Sequence, residues 1–148
     1  MTFFELLFRI LLVIILSALI GIERDIRHKG ADLRTHILVG VGSALIVLTS
    51  IYLFDIYKDT PSVIDPTRMI AGIIQGIGFL CAGTIIRAGS NVKGLTTAAT
   101  LWIVSGVGIT VGVGYYSAAI VVSIIVFLIL IGVRSLEKKI EEKFKQIP

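Results

Sequence analysis

Any chemistry in this sequence must come from a few polar side chains set among long apolar runs. Glu23, Arg24, Asp25, Arg27 and His28 form one cluster, followed at once by Arg34, Thr35 and His36. Arg87, Lys93, Thr96 and Thr97 form a second basic stretch with hydroxyls beside it. Two readings are open. The charges hold orientation and bind anionic lipid headgroups, or they build a polar mouth where Glu23 pairs with an arginine and the threonines bind a substrate or partner. His36, at the starting end of an apolar run, could titrate near neutral pH, but one histidine does not make a zinc site. Asp55, Asp59 and Asp65 concentrate acid in another loop. Hard cations such as Mg²⁺ favour oxygen ligands, so that loop could gather hydrated Mg²⁺ loosely, or Asp65 could serve only as a helix cap.

Polar residues inside the runs are fewer. Gln75 lies about two turns into the third run, where an unpaired amide is costly. Thr96, Thr97, Thr100 and Ser105 are candidate partners, either for a structural hydrogen bond or for a polar path. Glu5 and Arg9 stand at i,i+4 and suit a neutralised pair or a proton relay. Small residues recur at helical spacing: Gly72, Gly76, Gly78 and Gly83 in the third run, then Gly106, Gly108, Gly112 and Gly114 in the fourth. Gly72/Gly76 and Gly108/Gly112 are pairs that let helix backbones approach closely in lipid, within the chain or in a homodimer. Alternatively, such glycines allow a helix break that exposes carbonyls to an ion. No nucleotide loop, nucleophile elbow or paired-histidine motif occurs, and Gly76-Ile77-Gly78 lies inside an apolar run, so it is no dinucleotide fingerprint. The expectation is a protein that is not an enzyme and has no resident cofactor.

The elements that must position these residues follow from composition. Of 148 residues, 55% are hydrophobic and 16% charged, against roughly 25% charged in soluble domains. A soluble enzyme, a disordered chain and a secreted disulfide scaffold are all excluded on that basis, and Cys81 alone cannot form an internal disulfide. A bilayer crossing takes about 20 apolar residues, and five runs approach that length: about 3–22, 35–54, 69–86, 95–114 and 118–133. The reading is an all-α integral membrane protein with five transmembrane helices, its Gly-rich third and fourth helices at the centre. The transmembrane domain covers 1–134, and 135–148 is a charged helical tail with a modest stripe of Ile140, Phe144 and Ile147.

Net charge is +4, but the cations sit between and after the apolar runs, so no nucleic-acid partner is implied. Five spans place 11 of the 14 Lys and Arg on one side. The positive-inside rule then puts the N-terminus outside and the C-terminal tail in the cytoplasm. Tyr52, Tyr57, Tyr115 and Tyr116 fall at the opposite, outer ends of the spans, as interfacial aromatics do. Asp65-Pro66 and Asp32 mark helix starts as N-caps.

Blocks of this sequence resemble the MgtC/SapB family of bacterial inner-membrane proteins. They are Gly21-Ile22-Glu23-Arg24, Leu33-Arg34-Thr35-His36, Asp65-Pro66-Thr67-Arg68, Gly76-Ile77-Gly78-Phe79-Leu80 and Lys93-Gly94-Leu95-Thr96-Thr97-Ala98-Ala99-Thr100-Leu101-Trp102. The resemblance implies a multi-pass protein of the bacterial cytoplasmic membrane linked to Mg²⁺ homeostasis, through Mg²⁺ transport or adaptation to low Mg²⁺. In a transport reading, Glu23 and Asp65 are the Mg²⁺-binding acidic ends of a polar path lined by Gln75, Thr96, Thr97 and Thr100. Arg24, Arg34, Arg68 and Arg87 then balance charge at its mouths, with His36 and Lys93 beside them. In the alternative, no ion crosses and the small-residue faces bind a transmembrane helix of another membrane protein, regulating that complex. The scarcity of carboxylates at the membrane centre favours the alternative. Cys81 departs from the family pattern, which commonly has Gly there.

Overall fold

The computed structural model describes residues 1–27, 30–60 and 65–145, with the side chains of 88 and 134–145 outside that description. His28 and Ile147 therefore lie outside the described residues, as do the side chains of Ile140 and Phe144 that complete the tail's apolar stripe. Helices α1 (Phe3–Ile26), α2 (Leu33–Tyr57) and α3 (Pro66–Thr84) precede a short hairpin of β1 (Ile86–Ala88) and β2 (Asn91–Lys93), and α4 (Leu95–Gly112) and α5 (Tyr116–Lys145) follow. All five helices are long and apolar enough to cross a membrane.

Helix starts follow local chemistry. Thr2 accepts from the Glu5 amide at 3.2 Å, Asp32 from the Thr35 amide at 2.8 Å and Asp65 from the Thr67 amide at 2.9 Å. Each satisfies an orphan donor of a first turn. Pro66 occupies the first turn of α3, where a missing N–H costs nothing. The third helix ends at Thr84, two residues short of the expected 86, because Ile86 begins the hairpin. That hairpin was not expected. Its strands pair Ile86 with Lys93 and Ala88 with Asn91, leaving a Gly89-Ser90 turn with Gly89 at φ 64°, a conformation glycine adopts without strain.

Close packing decides which helices are central. α4 lies against α2, with α1 across both, and 56% of its most apolar window is buried against 6% for α3. This corrects the expected pairing: α2 and α4 form the centre, and α3 is peripheral, burying only Ile73 and Ile77. The reason is backbone proximity. A Cβ on Gly108 would collide with the Gly40 carbonyl oxygen, one on Gly40 with Ser17 Oγ, and one on Gly112 would lie 2.8 Å from Val47 Cβ. The hydroxyls of Ser43 and Ser105 meet at 2.9 Å across the same seam. Val13, Leu16, Ala44, Val107, Val111 and Ala119 fill the core around it. At the far end, Arg9 donates to the Gly112 carbonyl and to Glu5 Oε1, both at 2.6 Å, and lies 5.8 Å from the Tyr116 ring centroid. The Glu5–Arg9 pair thus closes the C-terminus of α4 against α1, a structural arrangement.

Candidate functional site

One end of the bundle gathers the C-termini of α1 and α3, the start of α2, the hairpin and the N-terminus of α4. Glu23 and Arg24, in the last turn of α1, are 4% and 6% exposed. Arg24 Nη1 donates to Glu23 Oε2 at 3.1 Å, and Arg27 Nε, one turn on, lies 2.5 Å from Glu23 Oε1. Arg24 thus hydrogen-bonds one carboxylate oxygen, while Arg27 forms an ion pair with the other, Oε1, which has no hydrogen-bond partner among the described residues; one negative charge serves two positive ones. Arg24 also faces a cavity of about 710 Å³ shared with Gly30, Thr84, Lys93, Thr96 and Thr97. The structure thus brings Arg24, Lys93, Thr96 and Thr97 together. Arg34 and Arg87 are nearby in the chain but do not line that cavity, and Arg87 Nε donates to the Gly89 carbonyl at 3.3 Å.

His36 is fully buried beside this end. Its Nδ1 lies 2.9 Å from the Asp32 carbonyl and its Nε2 3.0 Å from Thr100 Oγ1. A carbonyl only accepts, so Nδ1 carries a proton and donates to Asp32, while the Thr100 hydroxyl lies within hydrogen-bond distance of both Nε2 and the Thr97 carbonyl, at 2.9 Å from the latter. The ring ties α2 to α4 across 64 positions of sequence. Periodicity does not report such a contact; the only sequence signal was a histidine at the start of an apolar run.

Asp65 belongs to the opposite end, separated from Thr84 by the length of α3, roughly 28 Å for 19 residues at the helical rise. Its Oδ1 accepts from the Thr67 hydroxyl at 2.7 Å and the Thr67 amide. Those bonds, the hydroxyl's first, hold its carboxyl below the ordinary value. Arg68 is exposed in the first turn of α3. Glu23 and Asp65, expected as the two acidic ends of a path, do lie at opposite ends of the bundle, but one carboxylate lies against two arginines and the other caps a helix. Among the described residues, no group of three His, Cys, Asp or Glu side chains is placed to hold a metal ion.

The expected path lined by Gln75 and the threonines is not assembled either. Thr97 and Thr100 are buried on α4, whereas Gln75 is exposed on α3 with no hydrogen-bond partner among the described residues. The α3 glycines share its condition. Among the described residues, no atom beyond the local helix backbone lies within 4 Å of a Cβ placed on Gly72, Gly76, Gly78 or Gly83. Phe79 is 83% exposed on the same helix. Between α2 and α3 an apolar cleft of about 680 Å³ opens over Gly72, Gly76, Leu38, Gly42, Ile46 and Met69.

Comparison with known proteins places these features in a lineage. Residues 10–139 match the model of the MgtC family. YhiD of Escherichia coli, whose name provisionally assigns it to magnesium transport, is 41% identical over 127 residues, covering 85% of this chain and 59% of YhiD. MgtC of Salmonella typhimurium is 40% identical over 142 residues, 96% of this chain and 58% of that protein. An uncharacterised protein of Synechocystis is 42% identical over 132 residues, 89% of this chain and 53% of its own length. The chain thus spans between half and three-fifths of these curated relatives. No solved structure matches it.

Proposed function

We propose that this chain, which belongs to the MgtC family, serves magnesium homeostasis as a non-transporting interaction module of the bacterial cytoplasmic membrane. In this reading its basic end faces the cytoplasm, Mg²⁺ is the condition it answers to rather than its cargo, and it catalyses no covalent chemistry. The link to magnesium rests on the family and on relatives such as YhiD.

One observation carries the reading. Gln75 sits at the middle of α3, a helix long enough to span the bilayer, with its amide exposed and unpaired among the described residues. Leaving an amide without a partner in hydrocarbon costs roughly 2–7 kcal/mol. Beside it, Gly72 and Gly76 have no atom of another element near the position of a Cβ among the described residues, and the cleft over them is apolar. A transmembrane helix from another polypeptide could approach closely there and pair with the amide. The competing reading, Mg²⁺ movement through the bundle, takes support from the name of the E. coli relative. Among the described residues it lacks a carboxylate inside the bundle that is free to meet the ion, since Glu5 and Glu23 are both held by arginines.

Sealed vesicles holding the purified chain, with a Mg²⁺ gradient and a membrane potential imposed, separate the two. The expected result is Mg²⁺ entry no faster than in empty vesicles. In native membranes, Gln75→Leu and Gly76→Leu should fold as the parent does yet lose cross-linking to a neighbouring membrane protein. Saturable Mg²⁺ flux that disappears in Gln75→Leu would overturn the proposal.

A further inference from the structure

The cavity at the basic end has the chemistry of an oxyanion site. Three helices carry a side-chain N-cap, but α4 begins at Gly94, which has no side chain with which to cap it. Gly94 adopts φ 91°, and a Cβ there would overlap the Thr84 carbonyl oxygen, so a capping Ser or Asp cannot take its place. Among the described residues, the first-turn donors of α4 have no side-chain cap, and they carry the positive end of the helix dipole. The hydroxyl-bearing residues Thr96 and Thr97 of that turn line the cavity.

Arg24 provides the second, independent observation. It is 6% exposed, lines the same cavity, and its Nε has no hydrogen-bond partner among the described residues. Among the described residues its one carboxylate partner, Glu23, is shared with Arg27. A buried guanidinium left with an idle donor and half a counter-charge is costly unless an anion completes it. Lys93, exposed at the end of β2, adds a second cation to the cavity wall. Guanidinium, ammonium, hydroxyl and helix N-terminus are the donor types that bind tetrahedral phosphate oxygens.

We propose that this cavity binds a phosphate group, with Arg24 and Lys93 supplying charge and the first turn of α4 supplying hydrogen bonds. The group belongs either to a phospholipid headgroup entering at the membrane surface or to free phosphate. The site stands apart from the α3 face and does not depend on the reading given to it.

Two measurements on the full chain distinguish the sources. In neutral detergent at constant ionic strength, inorganic phosphate is titrated by calorimetry. In phosphatidylcholine vesicles, the motionally restricted fraction of spin-labelled phosphatidic acid is compared with that of spin-labelled phosphatidylcholine. Lys93→Gln and Thr96→Val alter exposed side chains and keep the fold testable even if Arg24→Gln disturbs it. Saturable phosphate binding, weakened about tenfold by Lys93→Gln, identifies free phosphate as the ligand. Selective restriction of phosphatidic acid, lost in both variants, identifies a headgroup. Neither signal, or a signal unchanged in both variants, overturns the proposal.

Discussion

Two neighbouring glycines of α4, Gly106 and Gly108, should respond in opposite directions to the same methyl group. Gly106 has no atom within 4 Å of an added methyl, whereas at Gly108 the methyl collides with the Gly40 carbonyl and lies 2.9 Å from Ser43 Cβ. Carbon and carbonyl oxygen settle at about 3.3–3.6 Å, so α2 and α4 must part by about 1 Å in Gly108→Ala. A gap of that size forfeits up to about half of each dispersion contact along the seam, and the Ser43–Ser105 hydrogen bond at 2.9 Å lengthens with it. The obstacle is backbone, so no rotamer change relieves it. Overpacking of this kind costs about 3 kcal/mol at its upper end. Alanine's better helix propensity returns about 1 kcal/mol, leaving a net loss of about 2 kcal/mol, or roughly thirtyfold in the folding equilibrium.

Gly106→Ala meets no obstacle and keeps only the propensity gain of up to about 1 kcal/mol. Reversible unfolding in mixed micelles, followed by far-ultraviolet circular dichroism, reads both changes against the parent. Gly108→Ala within about 0.5 kcal/mol of the parent would refute the argument that close α2–α4 backbone contact holds the centre. So would equal destabilisation by both substitutions, since Gly106 faces open space.

The remaining predictions concern charges and caps. Glu23→Gln removes the carboxylate shared by Arg24 and Arg27 and should destabilise the chain by about 3 kcal/mol, as loss of one member of a buried pair does; parent-like unfolding would show that the arginines are neutralised elsewhere. The carboxyls of Asp32 and Asp65 are held below the ordinary 3.8, chiefly by the hydroxyls of Thr35 and Thr67 and then by their amides. A depressed folded-state value means that cap stability is complete above the unfolded value and disappears as pH falls through the lower folded one. Exchange at the Thr35 and Thr67 amides should therefore rise, after correction for intrinsic rates, only below about pH 4, and protection that stays flat to about pH 2 would contradict the caps. His36→Leu removes the link to Thr100 and leaves a buried hydroxyl to satisfy itself on the Thr97 carbonyl at 2.9 Å; a loss of about 1 kcal/mol is expected, measured by the same unfolding assay.

How much of the fold is legible in the sequence depends on whether the information is local. Hydropathy located five helices, since the bilayer's thickness imposes a length on each run. Asp32 and Asp65 could be read as caps because a cap acts on amides two or three positions away. The Gly89-Ser90 turn was equally local, between Ile86-Arg87-Ala88 and Asn91-Val92-Lys93, and was available as a hairpin signal. Arg27 stands one turn beyond Glu23, so the pair that engages the carboxylate was also within reach of helical spacing. These are contacts a chain makes with itself over a few residues.

The lateral order of the helices is information of another kind. Gly72/Gly76 and Gly108/Gly112 have the same spacing, yet the second pair is filled by α2 and the first faces no atom of its own chain among the described residues. Spacing states that a helix can come close; it does not state which helix does. In water, hydrophobicity would help decide, because an exposed apolar stripe marks a missing neighbour. In lipid that signal vanishes, since Phe79 and Ile74 are as well solvated by acyl chains as by another helix. The polar exception keeps its meaning. Gln75 gains nothing from acyl chains, so its exposure at the middle of α3 is the observation on which the proposed interface rests. Arg24 follows the same logic at the basic end, where a buried donor without an acceptor separates a binding cavity from a packing gap. At both places an unpaired polar group, rather than apolar exposure, marks where a further contact is to be tested.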